Sequence, residues 1–148
     1  MKKLAVEGFA AFQKAIADLG ADYKGNIIIQ FSGSKNEKGN LALKDCELVS
    51  KQLYLIYLTG ESWCPDCVTA DPVIQAAVSA RADRSEDVFI YVGVGDRTFW
   101  KDPNCVFRTD ASTKLTSVPT LVKWGTPQRL GESDCSNKNL VEMLFDED

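Results

Sequence analysis

The sequence predicts an α/β domain with a mixed central sheet and helices on both of its faces. Three observations carry this. Two nearly unbroken apolar runs rich in β-branched residues, Ile27–Phe31 and Val88–Val94, read as strands buried on both faces, as central parallel strands are. Stretches of helical period lie around them. The succession helix, strand, helix, strand, strand pair, helix is that of a sheet packed on each side.

Taken in order, Gly8–Leu19 places Phe9, Phe12, Ile16 and Leu19 at intervals of 3, 4 and 3, one face of a helix that Gly20 stops. Ile27–Phe31 follows as a strand, then a loop over Ser32–Gly39. Leu53–Leu58 is a rival strand that ends shortly before Cys64, with Cys46 in its polar lead-in. A helix is expected from Pro65 to about Ala82, with Val68, Pro72, Val73, Ala76, Ala77 and Ala80 turned inward and a kink at Pro72. After Val88–Val94, Gly95–Asn104 reads as a long loop, and a short helix is expected from Asp110 or Ala111 to Leu115. Thr120–Trp124 and Gln128–Leu130 form a strand pair about the turn Gly125-Thr126-Pro127. Ser136 is expected to cap a last helix whose inner face is Leu140, Val141, Leu144 and Phe145.

A length of 148 residues suits one domain spanning 1–148. Apolar and charged contents of 45% and 26% are those of an ordinary globular chain. With 17 basic and 21 acidic residues the net charge is −4, and no basic stripe exists, which disfavours nucleic acid or an anionic membrane as partner. The absence of histidine excludes Ser-His-Asp and Cys-His catalysis and any histidine-ligated metal. Met1-Lys2-Lys3 imitates the start of a signal peptide, but Glu7 interrupts the apolar stretch that such a peptide needs. Leu53–Leu58 is too short to span a bilayer. Five cysteines, an odd count, argue against a secreted disulfide framework. The expectation is a cytosolic monomer, a setting in which a C-x-x-C pair cycles more often than it staples.

That pair is Cys64 and Cys67, in Trp63-Cys64-Pro65-Asp66-Cys67 at the head of the expected helix. Unpaired backbone N–H groups and the positive end of the helix dipole favour a thiolate there, and the thiolate is the attacking species. Pro65 suits the first helical position. Cys64, at the exposed helix start, is the candidate nucleophile, and Cys67, one turn on, the resolving thiol. Pro65 and Asp66 are expected to tune the pair, the Asp66 carboxylate working against the helix start. Trp63 either packs or shapes the surface around the sulfurs.

The strand leading towards Trp-Cys-x-x-Cys, together with Val118-Pro119-Thr120 before a later strand, resembles the thioredoxin fold. Phe31-Ser32-Gly33-Ser34-Lys35, Trp100-Lys101-Asp102-Pro103, Lys123-Trp124-Gly125-Thr126-Pro127-Gln128 and Leu140–Phe145 bring the chain closer to the 14-kDa thioredoxin-related family, that of thioredoxin domain-containing protein seventeen. One departure stands out: about twenty extra residues, near Asn40–Gly60, separate the Gly-Ser-Lys loop from Ser62-Trp63-Cys64. On this resemblance Ile27–Phe31, not Leu53–Leu58, is the central strand.

The resemblance implies that Pro119 is cis and faces the dithiol, and that Val118 and Pro119 offer backbone pairing to an extended substrate. It also implies a disulfide reductase with no bound cofactor, reduced by thioredoxin reductase with NADPH as ultimate donor. Substrates would be small disulfides and disulfide-containing proteins, with peroxidase activity and a role in redox signalling. No glycine-rich nucleotide fingerprint occurs in the chain itself. A redox-regulated interaction module without turnover, and a metal or iron–sulfur carrier, are the readings to set against this. Asp71 and Glu61 are candidate proton acceptors for Cys67, although solvated charge is the expectation for both. Lys101 and Asp102 are either selectors of substrate or satisfied loop charges, and Cys46, Cys105 and Cys135 are expected to be ordinary thiols.

Overall fold

The computed structural model describes residues 1–36 and 61–146. The expected extra segment near 40–60, with Cys46 and the rival strand Leu53–Leu58, therefore lies outside the described residues. The main sheet has five strands: β1 (Lys2–Glu7), β2 (Ile27–Ser32), β5 (Val88–Gly93), β6 (Thr120–Lys123) and β7 (Arg129–Leu130). Their spatial order is β1-β5-β2-β6-β7. β1, β5 and β2 run parallel, β6 is antiparallel to β2, and β7 antiparallel to β6, so the sheet is mixed. β2 is the middle strand, as expected of Ile27–Phe31. All six of its residues, like all six of β5, are buried, which is what an unbroken apolar run requires.

A second, small pairing positions the dithiol motif. Lys35 and Asn36 (β3) lie antiparallel to Ser62 and Glu61 (β4). Asn36 and Glu61 thus lie side by side just beyond the end of β2, and the motif starts there.

Helices cover both faces. α1 (Phe9–Leu19) lies on one face, where Phe12 meets Phe31 and Trp124 edge-on at 5.3 and 5.5 Å between ring centres. Such pairs each contribute about 0.5–1.5 kcal/mol beyond the burial of their area. Gly20 ends α1 at φ +82°, a left-handed conformation that favours glycine, and its N–H reaches the Ile16 and Ala17 carbonyls. The other face carries α2 (Pro65–Ser79) and the last helix, α5 (Lys138–Asp146). Ala70, Ile74, Ala77 and Val78 pack there with Val141, Leu144 and Phe145.

Several expectations need correction. The first residues form an edge strand, β1, bonded to β5 in register Lys2↔Val88; its short apolar centre, Leu4-Ala5-Val6, was hidden between its lysines and Glu7. α2 stops at Ser79, and its inner face is Cys67, Ala70, Ile74, Ala77 and Val78. Of the residues expected inward, Val68, Pro72, Ala76 and Ala80 are exposed. The phase is set by Cys67, which must face the sheet, and the rest of the inner face follows at helical spacing from it. The supposed loop Gly95–Asn104 contains α3 (Arg97–Lys101), capped by Asp96, whose carboxylate accepts the Phe99 N–H at 2.8 Å. The short helix expected at 110–115 occurs instead as α4 (Val106–Thr109), which buries Phe107. Asn137, not Ser136, caps α5, its Oδ1 accepting the N–H groups of Asn139 and Leu140 at 3.1 and 3.3 Å.

Candidate active site

Cys64 is the residue immediately before α2, with extended backbone, and Pro65 holds the first helical position. The Cys64 sulfur accepts the backbone N–H of Cys67 at 3.2 Å, the bond an N-cap side chain makes. Its thiol also points to the Val118 carbonyl, at 3.7 Å. The Val118–Pro119 bond is cis, as expected. Ser62 links the motif to the end of β2: its hydroxyl accepts the Cys64 N–H at 3.2 Å and donates to the Gly33 carbonyl at 2.8 Å.

Gly33 has no room for a side chain. A Cβ there would stand 2.8 Å from the Trp63 ring and 2.9 Å from the Ser62 hydroxyl. Trp63 is held over Gly33 by its indole N–H, which donates to the Gly95 carbonyl at 2.9 Å. Gly95 is fixed in turn by the Ser34 hydroxyl, which takes its N–H at 2.8 Å and donates to Glu7. Trp63 therefore both packs and shapes the site.

A cleft of about 400 Å³ opens here, lined by Trp63, Cys64, Pro65, Asp66 and Val118. Cys67 and Pro119 do not line it; both are buried. The expected exposure of Cys64 needs correction, since the residue is only 5% exposed. It meets solvent through this cleft rather than on an open surface.

The two thiols differ in acidity. Cys64 is lowered to about 7, first by its hydrogen bond with the Cys67 side chain and also by the Cys67 N–H, against burial and the Asp66 charge. Cys67 is raised, first by the same bond with Cys64 and then by burial. The proton shared within the pair therefore stays with the inner sulfur, and the outer one ionises first.

Residues that sequence reasoning did not single out complete the cleft. Arg97, Arg108 and Glu132 line it, with Lys101. Arg108 is fixed, its guanidinium 3.9 Å from the centre of the Trp100 ring and its Nε donating to the Trp100 carbonyl at 2.8 Å. Glu132 is raised first by a hydrogen bond with Asp66, which places the two carboxyls side by side. No motif marks these residues, because they converge only through the fold. Asp102 is a satisfied loop charge that accepts the Asn104 N–H at 2.8 Å.

Asp71 departs from expectation. Instead of standing solvated it pairs with Lys35 and accepts the Gln30 amide at 2.7 Å. Glu61 lies in β4, and its side chain is outside the described residues. Cys135 is fully buried and pushed up to about 12 by burial, the state of an inert thiol. Cys105 is buried at the start of α4.

Residues 54–147 match the thioredoxin domain of the thioredoxin domain-containing protein 17-like family. The chain belongs to that family. It is 41% identical to mouse thioredoxin domain-containing protein 17 over 148 residues, covering 99% of this chain and 97% of the relative. The human protein of that name is 40% identical over 147 residues, with the same coverage. The thioredoxin-like protein Clot of Arabidopsis thaliana is 46% identical over 87 residues, 59% of this chain and 63% of the relative. The five-stranded mixed sheet is a thioredoxin fold, and membership of the family carries a thioredoxin-type redox function.

Proposed function

We propose that the protein is a cytosolic thiol–disulfide oxidoreductase acting as a disulfide reductase. The observation that carries this reading is the asymmetry of the dithiol. Cys64 lines the cleft as the more acidic thiol, at a helix start and beside the carbonyl before a cis-proline, while Cys67 is buried behind it with its proton retained.

In this mechanism the Cys64 thiolate attacks one sulfur of a substrate disulfide. The substrate S–S bond breaks, a mixed disulfide forms at Cys64, and the departing sulfur leaves as a thiolate that takes a proton. Cys67 then loses its proton and attacks the Cys64 sulfur, expelling the second substrate thiol. The protein has lost two electrons and become a disulfide; the substrate has gained two and become two thiols. Thioredoxin reductase restores the dithiol, with NADPH as the ultimate donor. The cis Val118–Pro119 edge pairs with the substrate backbone, and Trp63 shapes its approach. Peroxidase activity would use the same sulfurs: the Cys64 thiolate attacks a peroxide oxygen, the O–O bond breaks to release water or an alcohol, and Cys67 attacks the resulting sulfenic acid, releasing water and closing the disulfide.

The test is NADPH consumption in a mixture of thioredoxin reductase, this protein and a small disulfide. Turnover is expected with the parent and not with Cys64→Ser. A parent that binds partners but consumes no NADPH and reduces no disulfide would favour an interaction module instead.

A further inference from the structure

We propose that Gln30 is a positioning residue for Cys67: held by Asp71, its amide donates to Ser32 and so turns the Ser32 hydroxyl into a donor for the Cys67 sulfur. This rests on the functional reading above, in which Cys67 must become a thiolate, and it supplies what that reading lacks. No carboxylate of β2 stands behind the dithiol; the strand's residues are Ile27-Ile28-Ile29-Gln30-Phe31-Ser32.

The arrangement follows from two periods. Gln30 and Ser32, two apart on β2, point to the same face of the sheet. Cys67 and Asp71, four apart on α2, share one face of the helix. Where α2 crosses the end of β2 the four come together: Gln30 is hydrogen-bonded to Asp71, and Ser32, next to the Gly33 N–H that reaches the Cys67 sulfur at 3.4 Å, stands beside Cys67 and acts to lower its thiol. Gln30, Ser32 and Cys67 are all 0% exposed. A buried primary amide is costly unless its hydrogen bonds are made. Its presence in the middle of a run of isoleucines therefore calls for a partner.

The direction of each bond is determined by what the partner can do. An ionised carboxylate only accepts, and the other Asp71 oxygen is occupied by the Lys35 ammonium. The Gln30 amide must then turn its NH₂ to Asp71, at 2.7 Å, since the flipped carbonyl would meet a carboxylate oxygen. Its second N–H points along the strand to the Ser32 oxygen at 3.5 Å, a long contact. A hydroxyl whose oxygen accepts is polarised as a donor, and the Ser32 proton is directed to the sulfur. The Gly33 N–H, 3.4 Å from the Cys67 sulfur, is a second donor. Its peptide is held by the Val94 N–H, which donates to the Ser32 carbonyl at 3.0 Å, and the following peptide by the Ser62 and Tyr91 hydroxyls, which donate to the Gly33 carbonyl at 2.8 and 3.2 Å. Among the described residues Cys67 thus faces two donors and no base. They stabilise its thiolate as it forms, and its proton leaves to solvent.

The experiment times the second step alone. Reduced full-length protein is mixed with one equivalent of dithiobis(nitrobenzoate), quenched with acid at intervals, and weighed by intact mass spectrometry. Cys64 attack expels one thionitrobenzoate and leaves the mixed disulfide; Cys67 attack expels the second and leaves the protein disulfide. In the parent the mixed disulfide is expected to be short-lived. Gln30→Met and Ser32→Ala should form it at an unchanged rate and prolong its life at least tenfold, the size expected for a lost hydrogen bond to a charged group, about 1.5–3 kcal/mol. Ser32→Thr keeps the hydroxyl and should retain a lifetime within threefold of the parent. Unchanged lifetimes in Gln30→Met and Ser32→Ala, or a Ser32→Thr as slow as Ser32→Ala, would overturn the inference while leaving the reductase reading intact. A parent that forms no adduct at Cys64 would overturn the reductase reading itself.

Discussion

At the scale of single residues, one carboxylate works against the chemistry that surrounds it. Asp66 lies between the two cysteines; Cys64 is lowered first by the Cys67 side chain and then by the backbone N–H groups of Cys67 and Asp66, while the Asp66 charge raises it. The net result, a thiol near 7, means that the thiolate fraction rises as pH rises through that value and saturates above it. Asp66→Asn removes the opposing charge and keeps the backbone donor. Its thiolate absorbance titration and its rate–pH profile are both expected to move to lower pH, by less than about one unit, since exposed charges interact by at most about 1 kcal/mol. An unchanged or upward shift would show that Asp66 acts otherwise. Glu132, which meets Asp66 across the cleft, has no signature in the sequence and no spacing that relates it to the motif. Gln30 was equally silent, because one polar residue in a buried apolar run reads as an irregularity until its partner on another element is known.

At the scale of elements, the helix after the dithiol shows how function sets packing. Apolar periodicity alone allowed an inner face through Val68, Pro72 and Ala76, because alanines are weak markers of either side. The structure turns the helix so that Cys67 faces the sheet, and Ala70, Ile74, Ala77 and Val78 come with it. The phase is open to direct measurement by urea unfolding. Ile74→Ala, at a fully buried site, is expected to cost about 2–5 kcal/mol. Val68→Ala, where the residue is 47% exposed, should stay within about 0.5 kcal/mol. Equal losses at the two positions would contradict the observed phase. The elements missed in the sequence share a cause. α3 and α4 have 5 and 4 residues, too few to show a period, and are held by a cap and by a buried aromatic instead.

At the scale of the whole molecule, the sheet brings the two halves of the site together. β2 ends at Ser32, the motif begins at Ser62 against the following Gly33, and β6 begins directly after the cis-proline, antiparallel to β2 with Phe31 opposite Thr120. Residues more than fifty positions apart, Cys64 and Val118, are thereby within 3.7 Å. The α/β class, the middle strand and the dithiol were legible because each rests on a local pattern: a continuous apolar run, a C-x-x-C at a helix start, a Val-Pro before a strand. β1 was not, since its Lys2, Lys3 and Glu7 hide an edge strand behind charge, as edge strands commonly do. Arg97, Arg108 and Glu132 of the cleft were not, since they join the motif only in three dimensions. The central claim is an order of events, Cys64 attacking and Cys67 resolving. The measurement that tests it most directly is peptide mapping of the adducts that Cys67→Ser and Cys64→Ser form with a small disulfide. The expected result is a stable mixed disulfide on Cys64 in Cys67→Ser and none on Cys67 in Cys64→Ser; an adduct on Cys67, or none in either variant, would contradict it.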